Sequence, residues 1–273
     1  MQAYIPSQTA VFVAFLRALA DLGFTHVPGF RDPVAKQLLP RVWSRLLRGA
    51  ARWLGRLQPA VRDRVVDQLD VVARRVRAID RELAAAIGVG CTQVVILGAG
   101  LDTRAYPIPH VSVTSVYEVD HPATQDFKRR KAAGIPVLAR NLHYVTVDFE
   151  SEALSPSLGA AGHRADLPTA WVWEGVVMYL TDDALRAALA AMVELSADGS
   201  VFIVHYHEPE ARARDAWKPG LTRWVFEPQI GLRPRSRMIA ELENAGLRVV
   251  HDSQVDPQHP VARLLVAEKP EPR

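Results

Sequence analysis

Cysteine is almost missing from this sequence: Cys91 is the only one in 273 residues. That excludes an internal disulfide and any multi-cysteine zinc or iron-sulfur site, and a reducing, cytoplasmic setting is expected. Repeats and low-complexity tracts are also missing, so no solenoid or linker array is expected. No long apolar run occurs. Val11 to Leu16 is apolar and Ala18-Leu19-Ala20 mimics a signal-peptidase site, but no Lys or Arg precedes the run and Arg17 interrupts it. Neither a signal peptide nor a membrane-spanning helix is expected from it. A single-signed charge is lacking overall, with a formal net charge of +3, so strong nonspecific binding to nucleic acid is not expected. The charge is unevenly placed, however: residues 1 to 80 carry thirteen basic and six acidic groups, a local +7, against −4 for the rest. Such a bias attracts anionic partners to the N-terminal part.

What is present is ordinary globular material, 49% hydrophobic and 23% charged, which rules out a disordered, collagen-like or coiled-coil chain. At roughly 150 residues per domain, the length gives one large domain or two modest ones. From Pro59 onward, Val61, Val65, Leu69, Val72, Val76, Ile79, Leu83 and Ile87 recur every three or four residues until Gly88. That predicts one long amphipathic helix with a proline start and a glycine stop. Ser7 to Asp21 also reads as a helix, and Pro28, Pro33, Pro40 and Gly49 are expected to break the remainder into short segments. After Gly90 the pattern changes to short apolar runs: Gln93 to Leu97, Ser112 to Val119, Leu142 to Val147, Ala170 to Trp173, Ser200 to Tyr206, Leu247 to His251 and Arg263 to Ala267. Helical patterns at Pro122 to Ala133, Thr181 to Ser196 and Pro234 to Ala245 separate them. Alternating strands and helices imply a doubly wound, mostly parallel α/β sheet, in which ligands bind beyond the carboxyl ends of the strands.

The first strand runs into Gly98-Ala99-Gly100-Leu101-Asp102-Thr103. Two glycines allow a tight turn and a close backbone approach to a ligand, although a plain structural turn uses them equally well. Thr103 stands where a dinucleotide-binding loop has its third glycine, which weakens a pyrophosphate reading. The second strand ends at Asp120, twenty residues past Gly100, where a carboxylate suits the two hydroxyls of a ribose. The third ends at Asp148-Phe149, an acid for an exocyclic amine and a ring to pack on a base. Both aspartates are equally suited to capping the helices that follow. Glu174 directly follows an apolar Trp-Val-Trp strand and would be costly there without a partner. Together these strand ends favour an adenosine-containing ligand.

Residues 95 to 106, Val-Ile-Leu-Gly-Ala-Gly-Leu-Asp-Thr-Arg-Ala-Tyr, resemble the glycine loop of the leucine carboxyl methyltransferase family. Tyr117-Glu118-Val119-Asp120-His121-Pro122 with Phe127-Lys128-Arg129-Arg130, the segment Trp173 to Leu180, Arg31-Asp32-Pro33 and Arg75 to Asp80 are similar to further family segments. The resemblance covers about residues 7 to 268. It implies a class I methyltransferase-type seven-stranded sheet under an N-terminal helical cap: residues 1–88 as a cap contributing to the active site, residues 89–273 as a Rossmann-like core, and a substrate-side insertion near 207–233. It implies S-adenosylmethionine as cofactor and S-adenosylhomocysteine as product. By the same resemblance, Arg75 pairs with the carboxylate of the cofactor's methionine moiety, Gly98 and Gly100 line that moiety, and Asp120 holds the ribose. Asp148 and Phe149 then hold the adenine, and Glu174 lies near the amino group. Protein carboxyl termini, polyketide and other natural-product acids and phenols are all acceptors the resemblance allows, and a small molecule with a carboxyl or hydroxyl group is the one expected here.

No metal is required for methyl transfer. A carboxylate acceptor is already ionised, whereas a phenol benefits from a base. Candidate catalytic residues are His205, Tyr206 and His207, with His205 and His207 on one face of their strand and Tyr206 on the other. Tyr179, Trp217, Trp224 and Phe226 are candidates for binding the acceptor, with ordinary core packing the competing reading. A nicotinamide-dependent oxidoreductase and a noncatalytic cofactor-binding module with a basic surface are the alternatives. Arg41, Arg45, Arg48, Arg52 and Arg56 recur at helical spacing and are read as the solvated face of a cap helix, with no nucleic-acid or membrane partner expected. The sequence leaves the oligomeric state open.

Overall fold

A computed structural model describes residues 7–148, 153–209, 230–256 and 261–271. Phe149, Trp217, Trp224 and Phe226, expected to touch adenine or acceptor, lie outside the described residues, as does most of the segment expected to form a substrate-side insertion.

Four helices come first: α1 (Gln8–Asp21), α2 (Ala35–Leu38), α3 (Arg41–Arg56) and α4 (Pro59–Gly88). Ser7 caps α1, its hydroxyl accepting from the Ala10 N–H at 3.3 Å. Pro59 opens α4 at a position where its missing N–H leaves no intrahelical bond unmade. Gly49 does not break the chain as expected. It sits mid-way in α3, exposed and with nothing within 4 Å of where a Cβ would be, while flanking Ala, Leu and Arg carry the helix past it.

The rest alternates: β1 (Gln93–Leu97), β2 (Ser115–Asp120), α5 (Pro122–Ala132), β3 (Asn141–Thr146), α6 (Leu154–Ala160), β4 (Thr169–Trp173), α7 (Asp182–Glu194), β5 (Val201–His207), α8 (Arg235–Asn244), β6 (Arg248–Gln254) and β7 (Ala262–Glu268). The second strand starts later than Ser112. Pro109–Val113 form a 3-10 turn instead, and the Thr114 hydroxyl donates back to the Val111 carbonyl at 2.9 Å. The seven strands run in the order β3-β2-β1-β4-β5-β7-β6, parallel except for β7, which pairs antiparallel with both β5 and β6. The order reverses between β1 and β4, so the tips of β2, β1 and β4 lie side by side, as a ligand-binding switch point requires.

Each face of the sheet has its own apolar cluster. Val94, Ile96, Val172 and Ile203 pack against Val76, Ile79 and Leu83 of α4 and against α1. Val95, Trp171, Phe202 and Tyr206 point the other way, onto Leu185, Leu189 and Met192 of α7 and Met238 and Leu242 of α8. Burying a side chain such as Leu83 or Ile79 contributes about 1.5–3 kcal/mol. The helices expected as a cap thus share one cluster with the sheet. Polar ties reinforce the seam: Arg74 of α4 reaches Asp256 at 2.7 Å, and Asp256 is fully buried.

Candidate functional site

At the tip of β1, Gly98 and Gly100 adopt φ +63 and +51, the left-handed region that favours glycine. A Cβ on Gly98 would lie 2.4 Å from Val176 Cγ2, and one on Gly100 2.9 Å from Ala10 Cβ. The loop is held down by its neighbours: the Ala99 N–H donates to the Val119 carbonyl at 3.0 Å and the Gly100 N–H to Asp120 Oδ2 at 2.5 Å. Asp120 accepts a second bond, from the His121 N–H at 2.7 Å. Burial raises the Asp120 carboxyl above its ordinary value despite the two N–H donors. Asp120 does not cap α5. His121 does, its Nδ1 accepting from the Ala123 N–H at 3.2 Å. Asp148, half-buried, follows β3 by two residues, and α6 takes Ala153 as its N-cap rather than Asp148.

Glu174 follows β4 directly and is the centre of a charged cluster. Its Oε1 accepts from Arg75 Nε at 2.7 Å, and its Oε2 lies 2.9 Å from Arg104 Nη2. Burial opposes ionisation, but the Arg104 and Arg75 guanidinium groups outweigh it and hold the Glu174 carboxyl well below the usual carboxylate range. Arg75 therefore does not belong to a solvated helix face. Arg104, 3% exposed, also donates to Asp80 Oδ1 at 2.7 Å and pairs with Asp102, whose Oδ1 accepts the Arg104 N–H at 2.7 Å. Two guanidinium groups thus face three carboxylates, a formal charge of −1 in a nearly dry site.

Around it, Arg17 of α1 bonds the Thr103 hydroxyl at 3.1 Å and the Leu101 carbonyl, and Thr103 in turn donates to Asp32 at 2.9 Å. The residue at the third-glycine position is therefore a node that ties the helical layer to the loop. On the other side of Glu174, the Gly231 N–H donates to the Met178 carbonyl at 2.8 Å, and the buried Arg233 donates to the carbonyls of Val177 at 3.2 Å and Leu180 at 2.9 Å. Tyr179 lies half-buried in that turn.

His205 and His207 share the α4 face of β5, their rings 5.1 Å apart. His205 is 1% exposed, and neither of its ring nitrogens has a hydrogen-bond partner among the described residues. Burial, with Arg75 and His207, drives its pKa well below the ordinary histidine value, and Glu174 only partly opposes this. Tyr206 is buried in the cluster beneath α7 and α8, so the structure separates it from the two histidines. Burial also pushes its phenol upward. A surface cleft of about 600 Å³ between α7 and α8 lies on that opposite face and touches none of these residues.

Arg104, Asp102, Asp80, Arg17 and Asp32 carry roles that sequence reasoning missed. Their signal was that they sit inside the glycine-loop, Arg75–Asp80 and Arg31–Pro33 segments, but nothing in spacing alone named their partners.

The sequence profile of leucine carboxyl methyltransferases matches residues 10–193, a span that takes in most of α1, Arg75, the glycine loop and Glu174. The chain belongs to the leucine carboxyl methyltransferase family. A Mycolicibacterium vanbaalenii protein, named by inference as an S-adenosyl-L-methionine-dependent methyltransferase, is 34% identical over 220 residues, 76% of this chain and 71% of that one. A similarly named Mycobacteroides abscessus protein is 35% identical over 248 residues, 88% of this chain and 75% of that one. Among solved structures, a Thermobifida fusca protein named by inference as a methyltransferase aligns with TM-score 0.59 at 16% identity, covering 99% of this chain and 97% of that one. The magnesium protoporphyrin IX methyltransferase of Synechocystis, crystallised with S-adenosylhomocysteine, aligns with TM-score 0.53 at 13% identity, over 81% of this chain and 94% of that one. At these identities the structural matches bear on the fold alone. Membership of the leucine carboxyl methyltransferase family removes the nicotinamide-dependent oxidoreductase reading.

Proposed function

We propose that the chain, an S-adenosylmethionine-dependent methyltransferase of this family, transfers the methyl group to an oxygen: the carboxylate or hydroxyl of a small organic acceptor. The donor set fits the cofactor. A cluster with a formal charge of −1 complements a ligand that carries a sulfonium and an ammonium against one carboxylate, and burial strengthens that match. When bound, the cofactor supplies an electrophilic methyl on a positively charged sulfur.

Arg75 and Glu174 would exchange part of their mutual pairing for the cofactor's carboxylate and ammonium, while Arg104, locked by Asp80 and Asp102, keeps Glu174 ionised. Gly98 and Gly100 would line the same moiety. Asp120 would accept from the ribose hydroxyls, because each carboxylate oxygen retains a lone pair beyond the N–H it already accepts. Asp148, together with Phe149, would take the adenine. The helical layer excludes water from above the loop, with Ala10 seated on Gly100. Tyr179 would contribute to the acceptor side.

The observation that carries the oxygen assignment is His205: neutral, buried and with two ring nitrogens that have no partner among the described residues, on the face it shares with His207. A neutral imidazole there accepts the hydrogen bond of a hydroxyl acceptor and aims its oxygen at the methyl, while burial and Arg75 make it a poor proton acceptor; a carboxylate acceptor needs neither. The test is incubation with methyl-labelled S-adenosylmethionine and a panel of organic acids and phenols. Label recovered as an alkali-labile ester or a stable aryl ether supports the reading, and label found only on nitrogen or carbon overturns it.

A further inference from the structure

We propose that the exposed side of α3 docks on an anionic lipid bilayer surface. All five arginines, Arg41, Arg45, Arg48, Arg52 and Arg56, are exposed, and α3 contains no acidic residue. None of the five guanidinium groups has an ion-pair or hydrogen-bond partner among the described residues. At about 100° per residue they fall within a stripe roughly 80° wide that runs about 22 Å along the helix. Neighbours in that stripe stand three or four positions apart, a spacing at which like charges destabilise a helix. Arg41 also sits at the N-terminus, where the helix dipole disfavours a cation. A face selected only for solvation and helix stability would alternate in sign. This one is complementary to an external array of anions.

Beside the stripe, on the flank between it and the buried face, lie Val42, Leu46 and Trp53, which are 62%, 52% and 55% exposed. Gly49 lies between the two sets on the helical wheel and adds no bulk. The opposite face is already used: Leu47 and Leu54 are buried, and Trp43 packs edge-on against Phe12 and Phe15 of α1 at 6.2 and 5.5 Å. The helix therefore presents a cationic row and an apolar row together, with a tryptophan among them. That is the composition of a segment lying in the interfacial plane, its cations at the headgroups and its apolar row in the acyl boundary. A nucleic acid would satisfy the arginines but leave Val42, Leu46 and Trp53 without purpose. A second copy of the chain would set one arginine row against another. No described helix is long and apolar enough to cross a membrane, so the contact is peripheral. This departs from the solvated face and the absence of a membrane partner expected from the sequence.

The experiment is sedimentation of the full chain with vesicles of phosphatidylcholine and phosphatidylglycerol in a two-to-one ratio, against vesicles of phosphatidylcholine alone. Binding is expected on the mixed vesicles only and should weaken with added salt. The triple variant Arg45→Gln, Arg48→Gln, Arg52→Gln should bind about a hundredfold more weakly. Trp53→Ser with Leu46→Ser, which leaves every charge in place, should bind about tenfold more weakly. Both variants alter exposed positions only, and neither should melt below the parent. No binding to the mixed vesicles, equal binding to both vesicle types, or an unaffected triple variant would overturn the proposal. So would tighter binding to duplex DNA than to the vesicles, with the Trp53→Ser, Leu46→Ser variant unaffected, which would make a nucleic acid the occupant.

Discussion

Replacing Glu174 by Gln removes one charge from the middle of the cluster while keeping its shape. The carboxylate accepts from Arg75 at 2.7 Å and lies 2.9 Å from Arg104, with only 13% of its side chain exposed. The amide retains one acceptor oxygen but turns an NH2 group toward the other guanidinium. Removing one member of a buried ion pair costs about 3–5 kcal/mol, and the retained carbonyl recovers roughly 1 kcal/mol. A net loss of about 2–4 kcal/mol follows, which for a chain of this size lowers the Tm by roughly 5–12 °C. The loss carries a pH signature. A carboxyl whose pKa is lower in the folded than in the unfolded state contributes stability that is fully present above its ordinary value of 4.5 and is lost as the pH falls through the folded value. Thermal unfolding of both proteins should therefore show a constant gap from neutral pH down to about pH 5 and a narrowing gap below it. The reasoning is refuted by a gap smaller than about 0.5 kcal/mol at neutral pH, or by one that stays constant down to about pH 3.

Gly98→Ala combines a left-handed φ with a Cβ 2.4 Å from Val176 Cγ2, and should cost about 2–4 kcal/mol. Val176→Ala in the same chain should recover about 1–2 kcal/mol of that, read as nonadditivity in urea denaturation, and strictly additive losses would contradict the contact. His205→Leu, which removes both ring nitrogens, should slow methylation of a phenol by about tenfold or more while leaving a carboxylate acceptor within a few-fold; equal losses with both acceptors would remove it from the acceptor side. Thr103→Ala breaks the bonds to Arg17 and Asp32 at 3.1 and 2.9 Å and should cost about 1–3 kcal/mol, checked by the same denaturation assay.

The elements governed by local rules were legible. Pro59 opens α4 as its fixed φ dictates, the helix stops just before Gly90 takes φ +117, and Gln93–Leu97 reads as a strand because a parallel strand buried on both faces is apolar over most of its length. Alternation along β5 predicted that Tyr206 would part from His205 and His207, but not which face would hold the site, because that strand is buried on both sides. Partners were harder to read than positions. Arg74, Arg75 and Arg77 look alike in sequence, yet Arg74 reaches Asp256 and Arg75 reaches Glu174, 182 and 99 residues away. The clamp on the turn after β4 was equally hidden, since Gly231 acts there through its N–H and the Arg233 guanidinium finds backbone carbonyls, acceptors that any sequence would supply. Gly49 misled because a single exposed glycine costs a helix only about 1 kcal/mol, too little to stop one with strong helix formers on both sides.

The most direct test of the cofactor site is calorimetric titration of S-adenosylhomocysteine into the parent chain and into Asp120→Ala. The parent should bind, and the variant, folded to the same secondary-structure content, should bind roughly 5- to 150-fold more weakly through the loss of about 1–3 kcal/mol of hydrogen bonding. Equal affinity in the two proteins, or no binding by the parent, would contradict a nucleoside held at the tips of β1 and β2.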